Sequence, residues 1–323
     1  MSTSTAETIA KNAGREEAAS IVSGHRVAER RASQRALLAD FAIRLAFVVF
    51  LAALWQGAHY LLVTRPENVS RGALFPSPMQ VLGWIWDGFG FSYLVGQFQP
   101  APRTPMPHSF LEAFGRSNYP VAIFASIWRL MEGYIISVAI GFPLGLLVAR
   151  SALVDKTLGW LSTALQALPS MCWIPLAVLW FGRMAEAPIL FVTIMGSLFA
   201  TIIAVADGIR NVPPLMARAG RTLGADGSRL YFSILLPAAL PTIIIGLKIG
   251  WSFAWRSLMA AELIVPNGGL GFLLQDDREN GNAEGVLATI IVIIIIGLGV
   301  QAIIFTPIEK RLQGLWGLTG TRS

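Results

Sequence analysis

Apolar residues in this chain gather into six long runs separated by polar stretches, at about Phe41–Val63, Val121–Val148, Leu158–Phe181, Pro188–Ala206, Ala239–Val265 and Gly285–Phe305. A helix needs roughly 20 residues to cross a hydrocarbon core of about 30 Å, and each run is near or above that length. Ile290 to Gly299 is apolar on every helical face, as a helix surrounded by lipid or protein must be. The pattern predicts an all-α membrane protein with six transmembrane helices. Gly133, Gly141, Pro143 and Gly145 in the second run, and Pro169 and Pro175 in the third, mark bends; a cavity wall and a purely structural kink explain such bends equally well.

The polar stretches set the expected orientation. Arg150, Lys156, Arg210, Arg218, Arg221, Arg229, Lys310, Arg311 and Arg322 fall on the same side as the N-terminal segment with Lys11, Arg15, Arg26, Arg30, Arg31 and Arg35. The opposite side holds Arg65, Arg71, Arg103, Arg116, Arg183 and Arg278, offset by Asp276, Asp277, Glu279 and Glu284. The excess of basic residues places both termini in the cytoplasm. Residues 1–40 lack the apolar core of a secretory leader, so they are expected to be a cytoplasmic tail. Residues 64–120 form an outer segment, with an interfacial helix over Val81–Phe89 carrying Trp84 and Trp86, and a surface loop over Pro100–Pro107. Residues 307–323 form a second cytoplasmic tail.

Composition narrows the chemistry. Of 323 residues 54% are hydrophobic and 14% charged, against about 25% charged in soluble domains. The net charge of +6 fits membrane orientation better than nucleic-acid binding. A single cysteine, Cys172, leaves no disulfide framework, and His25, His59 and His108 belong to no ligand motif. No Gly-Lys dipeptide occurs, so the phosphate-cradling loop of an ATPase is missing. The chain reads as a non-enzyme without metal or cofactor.

Two patterns point to function. Between the fourth and fifth runs, Leu215–Leu223 is predicted to form a short helix with Leu215, Ala219 and Leu223 on one face, ended by Gly224 as a left-handed cap. A second short helix over Asp226–Leu235 is predicted to stop before Pro237 and Pro241. In the fifth run Lys248, Ser252 and Arg256 share one helical face, with Trp251, Trp255, Leu258 and Glu262 on a neighbouring one. Intramembrane charge faces a cavity or a partner rather than lipid. Arg256 with Ser252 therefore conducts an oxyanion, or pairs with Glu132 or Glu262 for structure while Lys248 snorkels to the interface. Gln166, Pro169, Ser170 and Trp173 cluster around the bend of the third run, as pathway wall or as helix packing.

The segment 207–237 resembles the coupling loop of binding-protein-dependent ABC-importer permeases, whose pattern is Glu-Ala-Ala, three residues, Gly, nine residues, Ile-x-Leu-Pro. Ala219, Gly224, Ile234, Leu236 and Pro237 fall on it, while Arg218 stands where the family has Glu and Gly220 where it has its second Ala. Gly220 and Ala225 complete the loop. Phe75-Pro76-Ser77-Pro78, Ser126-Ile127-Trp128-Arg129, Trp173-Ile174-Pro175-Leu176, Ala260-Ala261-Glu262 and Gly269-Leu270-Gly271 resemble the branch serving nitrate, aliphatic sulfonates and taurine. That resemblance implies a type I importer permease with its core over 121–306. It also implies a permease homodimer, two cytoplasmic ATPase subunits that hydrolyse ATP, and an extracytoplasmic solute-binding protein, in the bacterial inner membrane. Gln166, Ser170, Trp173, Ser252, Trp255 and Arg256 are the candidate pathway residues. The rivals are an ion-coupled secondary transporter, which would need buried acids where the spans offer only Glu132 and Glu262, and a scaffold subunit without transport.

Overall fold

A computed structural model describes residues 39, 42–62, 75–95 and 109–315, and every described regular element is helical. Residues 1–38 and the Pro100–Pro107 stretch lie outside the described residues. The chain divides into two compact units, Met1–Pro78 and Met79–Ser323. In the first, helix α1 (Ala42–Leu62) is long and apolar enough to span a membrane. Its Trp55 Nε1 donates to the carbonyl of Pro76 (3.0 Å) and His59 Nδ1 to that of Phe75 (2.7 Å), so His59 anchors a turn.

The second unit opens with two short helices, α2 (Pro78–Gly88) and α3 (Phe110–Arg116). Phe89, Phe91, Phe110, Phe114 and Tyr119 stack beside them. Long helices follow: α4 (Asn118–Arg150), the bent pair α5 (Ala152–Gln166) and α6 (Ser170–Phe181), and α7 (Ala187–Arg210). After the short α8 (Pro214–Thr222) come α9 (Gly227–Ile264), α10 (Leu270–Glu279) and α11 (Ala283–Leu315). Five helices meet the criteria for a span by themselves, and the bent pair makes a sixth.

Helix α7 is the axis of the bundle, with α4 on one side and α9 on the other. Lipid removes the hydrophobic drive between helices, so close packing of small residues has to supply cohesion. Gly133 and Gly141 of α4 lie against Thr193 and Thr201 of α7. At Gly145 a Cβ would stand 2.7 Å from the carbonyl oxygen of Ile202, an approach that only glycine permits. The buried hydroxyls in this seam turn back on their own helix: Thr193 donates to Ile189 O (2.8 Å), Ser197 to Thr193 O (3.1 Å) and Thr201 to Ser197 O (2.9 Å). They keep polar atoms satisfied without water.

Prolines are handled in two ways. The third apolar run, predicted as one span bent at Pro169 and Pro175, is two limbs bent by 101° around Ala167–Pro169, while Pro175 sits in the first turn of the second limb's α-helical part without breaking it. Pro169 adopts an extended backbone (φ −55°, ψ 131°), and a proline disfavours helical backbone in the residue before it. The limbs extend about 22 and 18 Å at 1.5 Å per residue, so neither crosses a bilayer alone. By contrast, the short helix predicted to end before Pro237 does not end there. The chain stays helical from Gly227 to Ile264, through Pro237 and Pro241. A π-helical turn at Tyr231–Leu235 precedes Pro237, and its wider ring relieves the clash of the proline ring with the preceding turn.

At the end of the bundle opposite α8, a buried polar knot ties four elements. Arg129 of α4 is 4% exposed. Its Nη1 donates to Glu262 Oε1 of α9 (3.1 Å) and to Gly268 O (3.1 Å); its Nη2 donates to Glu186 Oε1 (2.9 Å) and to Asn267 O (2.6 Å). Ser126 donates to the Glu262 carboxylate (2.8 Å) and accepts the Leu270 N–H (2.9 Å), while Gly271 N–H reaches Glu262 Oε2 (3.0 Å). Two amides at the start of α10 are thus capped by side chains from other helices. Gly269, at φ +100°, is in the left-handed region, and a Cβ there would enter the Glu262 carboxylate. Beyond the knot, burial raises the Asp277 carboxyl above the ordinary aspartate range, against hydrogen bonds from Asn282 and Thr289.

Two outcomes test this packing. Gly145→Val should cost about 1–3 kcal/mol by overpacking, read as a lower unfolding temperature in detergent, whereas Gly83→Ala, whose Cβ meets nothing within 4 Å, should not. Arg129→Leu should cost about 3–5 kcal/mol because it strands the buried Glu262 charge, and adding Glu262→Leu should recover part of the loss.

Candidate functional site

The segment between α7 and α9 folds as a compact knob. Helix α8 closes with a Schellman cap: Ala225 N–H bonds Gly220 O (3.0 Å), Gly224 N–H bonds Arg221 O (3.0 Å), and Gly224 takes φ +78°. Ala219 and Gly224 are exposed, Gly220 and Ala225 are buried, and Ile234, Leu236 and Pro237 are half-buried. Gly220 lies under the tips of Leu230 and Ile234, so the two limbs nearly touch where it sits. Tyr231 OH donates to Leu146 O of α4 (2.9 Å) and fixes the base of the knob. Arg210 binds Asp155 (2.6 Å) and Val148 O (3.0 Å), which ties α7 to α4 and α5. Leu215 (74%) and Leu223 (85%) are exposed, as are Met216, Phe232, Arg218, Arg221 and Arg229. The face predicted to carry Leu215, Ala219 and Leu223 points away from the bundle. Arg218 makes no ion pair among the described residues.

A cavity of about 410 Å³ opens at the bend between α5 and α6. Gln166, Ser170, Trp173 and Arg256 all line it, with Met171, Met195 and Phe253. The bend brings the first three to the face of α9 that carries Arg256. Trp173 stands edge-on to Phe191 of α7 (6.2 Å), which fixes one wall. Arg256 Nε donates to Ser252 O (3.2 Å), and its guanidinium carbon lies 4.7 Å from the centre of the Phe253 ring.

Several expectations are corrected here. Arg256 pairs with neither Glu132 nor Glu262; Glu262 is held by Arg129, and Arg256 has no carboxylate partner among the described residues. Lys248 has a partner that the sequence reading did not name, Glu309 of α11 (3.2 Å). Ser252 and Trp255 are not among the cavity-lining residues. The Ser252 hydroxyl is turned to Lys248 O (3.2 Å), and the Trp255 indole packs against Gly297 of α11. The knot of Ser126, Arg129 and Glu262 is absent from the predicted site. Its signal was two opposite charges in different apolar runs, each within a turn or two of the same end.

The family described as binding-protein-dependent transport system inner membrane component matches residues 141–312, which include the knob, the cavity and Glu262. The taurine transport system permease protein TauC of Escherichia coli is 34% identical over 255 residues, covering 75% of this chain and 89% of TauC. The nitrate import permease protein NrtB of a Synechocystis species is 29% identical, covering 71% of this chain and 77% of NrtB. The MetNI methionine ABC transporter, solved in inward-facing conformations, superposes with a TM-score of 0.54 at 16% identity over 60% of this chain and 95% of the solved one; at that identity the likeness is one of fold. The chain belongs to the binding-protein-dependent transport family of inner membrane components and is an ABC-importer permease.

Proposed function

We propose that two copies of this chain form the membrane pathway of an importer for a small anionic solute. The class is that of taurine, aliphatic sulfonates or nitrate, and the knob at 207–237 is the point of attachment to cytoplasmic ATPase subunits. The observation that carries the anionic reading is the cavity at the α5–α6 bend. It brings the Arg256 guanidinium beside Gln166 and Ser170 with no acid among its lining residues. Intramembrane charge without a partner is costly, so a site that keeps one has a use for it. Guanidinium presents planar paired donors that match sulfonate, nitrate or carboxylate oxygens.

The knob suits a soluble partner. Its exposed Leu215, Met216, Leu223 and Phe232 stand among Arg218, Arg221 and Arg229, a mixed surface that belongs in a protein groove rather than in lipid. With both termini in the cytoplasm, the knob faces the ATPases. The knot at Arg129 then lies on the outer side, where a solute-binding protein delivers its load. Closure of the ATPases pushes the two knobs, and the paired permeases alternate between inward- and outward-facing arrangements. Discrimination among solutes falls first on the binding protein.

Two variants test the reading in proteoliposomes containing the permease, its ATPase and the binding protein. Arg256→Gln should lower ATP-driven anion uptake by at least about tenfold, the scale of one lost charged contact, while the ATPase still co-purifies. Unchanged uptake sinks the anion pathway. Gly224→Pro removes the Gly224 N–H bond to Arg221 and cannot adopt φ +78°, so it should abolish uptake and leave the unfolding temperature of the bundle nearly unchanged. Normal transport by that variant would refute the coupling role of the knob.

A further inference from the structure

Helix α8 carries Arg218 and Arg221 and no acidic residue; Asp226 and Arg229 follow where α9 begins. All three arginines are exposed, and none makes an ion pair among the described residues. Three arginines against Asp226 give residues 213–229 two net positive charges. A glutamate at 218, where the family pattern has it, would bring that balance to zero. One position thus sets the sign of the knob.

The place of Arg218 matters as much as its charge. It follows Leu215 by three residues and precedes Thr222 by four, spacings that put all three on one side of α8 with Ala219. Leu215 and Leu223 flank it at 74% and 85% exposure. These leucines gain from burial only when a partner covers that side of the knob, and such a partner also covers the Arg218 guanidinium. A charge taken from water in this way needs an opposite charge to meet it. Membrane orientation accounts for basic residues in this loop, but it does not require one on the face that carries the leucines.

We infer that the groove receiving this knob presents a carboxylate to Arg218: the soluble partner is an ATPase subunit that is acidic where a groove complementary to the family's glutamate is basic, and this rests on the attachment reading above. A groove with a cation at that place would set like charges together as water is expelled, which costs affinity and turns the partner away. A carboxylate instead accepts the planar pair of donors that a guanidinium offers. Ala219 beside Arg218 has no bulk to hold an opposing wall at a distance, and the Schellman cap at Gly224 fixes how the face is presented. Position 218 then sorts ATPase subunits by the sign of their groove.

The permease in phosphatidylcholine nanodiscs is titrated with the ATPase subunit that co-purifies with it. Arg218→Glu should weaken binding at least about tenfold, the scale of like charges opposed in an interface, and Arg218→Lys should change it little. Salt at about 1 M, where the Debye length is about 3 Å, should narrow the gap between Arg218→Glu and the parent protein. The Arg218→Lys variant also reports the carboxylate directly. A water-soluble carbodiimide joins an amine to a carboxylate in contact with it, and residues 207–237 contain no lysine. The variant should gain a cross-link from position 218 to the ATPase that the parent protein lacks, with peptide mapping naming the acid. Unchanged or tighter binding by Arg218→Glu overturns the acidic groove, as does the absence of that cross-link. Weaker binding confined to discs containing phosphatidylglycerol would assign Arg218 to a lipid headgroup and also overturn it. Leu223→Gln separates this failure from that of the attachment reading, because it opposes burial of the knob whatever the sign of the groove. If Leu223→Gln weakens binding and Arg218→Glu does not, attachment stands and the acid is refuted. If neither variant weakens it, attachment at the knob is refuted and the acidic groove with it.

Discussion

A guanidinium and a carboxylate buried among apolar helices must be neutralised by each other and by every remaining donor and acceptor in reach. The Arg129–Glu262 pair meets most of that demand with Ser126, Glu186, the carbonyls of Asn267 and Gly268, and the amides of Leu270 and Gly271, and leaves the buried Arg129 Nε without a hydrogen-bond partner among the described residues. Because the partners come from four elements, satisfying the charge also fixes α4, the start of α7, the end of α9 and the start of α10 relative to one another. The left-handed backbone at Gly269 follows from the same demand, since the turn must bring the Leu270 and Gly271 amides to Ser126 and Glu262 without a side chain against the carboxylate. Glu186 is the outlying member of the knot, with 56% of its side chain exposed, so this contact is the one open to solvent competition.

Elsewhere in the bundle the constraint is steric. Pro169 breaks its helix and opens a cavity, whereas Pro237 and Pro241 are absorbed behind a π-helical turn and leave α9 continuous. The knob's second limb and the Arg256 wall of the cavity are therefore parts of a single helix, separated by about 40 Å of rise. In the proposed importer a push on the knob reaches the cavity wall along one covalent rod. The Gly133, Gly141 and Gly145 seam against α7 leaves little slack for α4 to yield, so movement is expected of the bundle as a body and not of one helix alone.

Much of this was legible in order along the chain. The apolar runs, the left-handed glycine at 224 and the broken third run each depend on residues within a turn or two, where length, side-chain size and proline geometry decide the outcome. The family pattern at 219–237 was readable for the same reason, being local. Gln166, Ser170, Trp173 and Arg256 were singled out separately, from two runs, without any local reason for them to meet.

Their meeting was decided by tertiary structure, because the bend at Pro169 fixes an angle whose direction depends on what α6 packs against. The same holds for the partners of the charges. Arg129, Lys248, Arg256, Glu262 and Glu309 are equally visible as intramembrane or juxtamembrane charges, and sequence alone allowed Arg256 to pair with Glu262. Which cation reaches which acid depends on helix rotation across the bundle, and the rotation is set by the small-residue seams between α4, α7 and α9. Sequence by itself determined that this chain forms long apolar helices of membrane-spanning length and carries the family pattern at 219–237, since these are properties of single segments. Packing alone decided that Arg129 and Lys248 are paired with acids and that Arg256 lines a cavity over the Phe253 ring with no carboxylate partner among the described residues, because only the folded bundle brings distant helix faces within hydrogen-bonding distance.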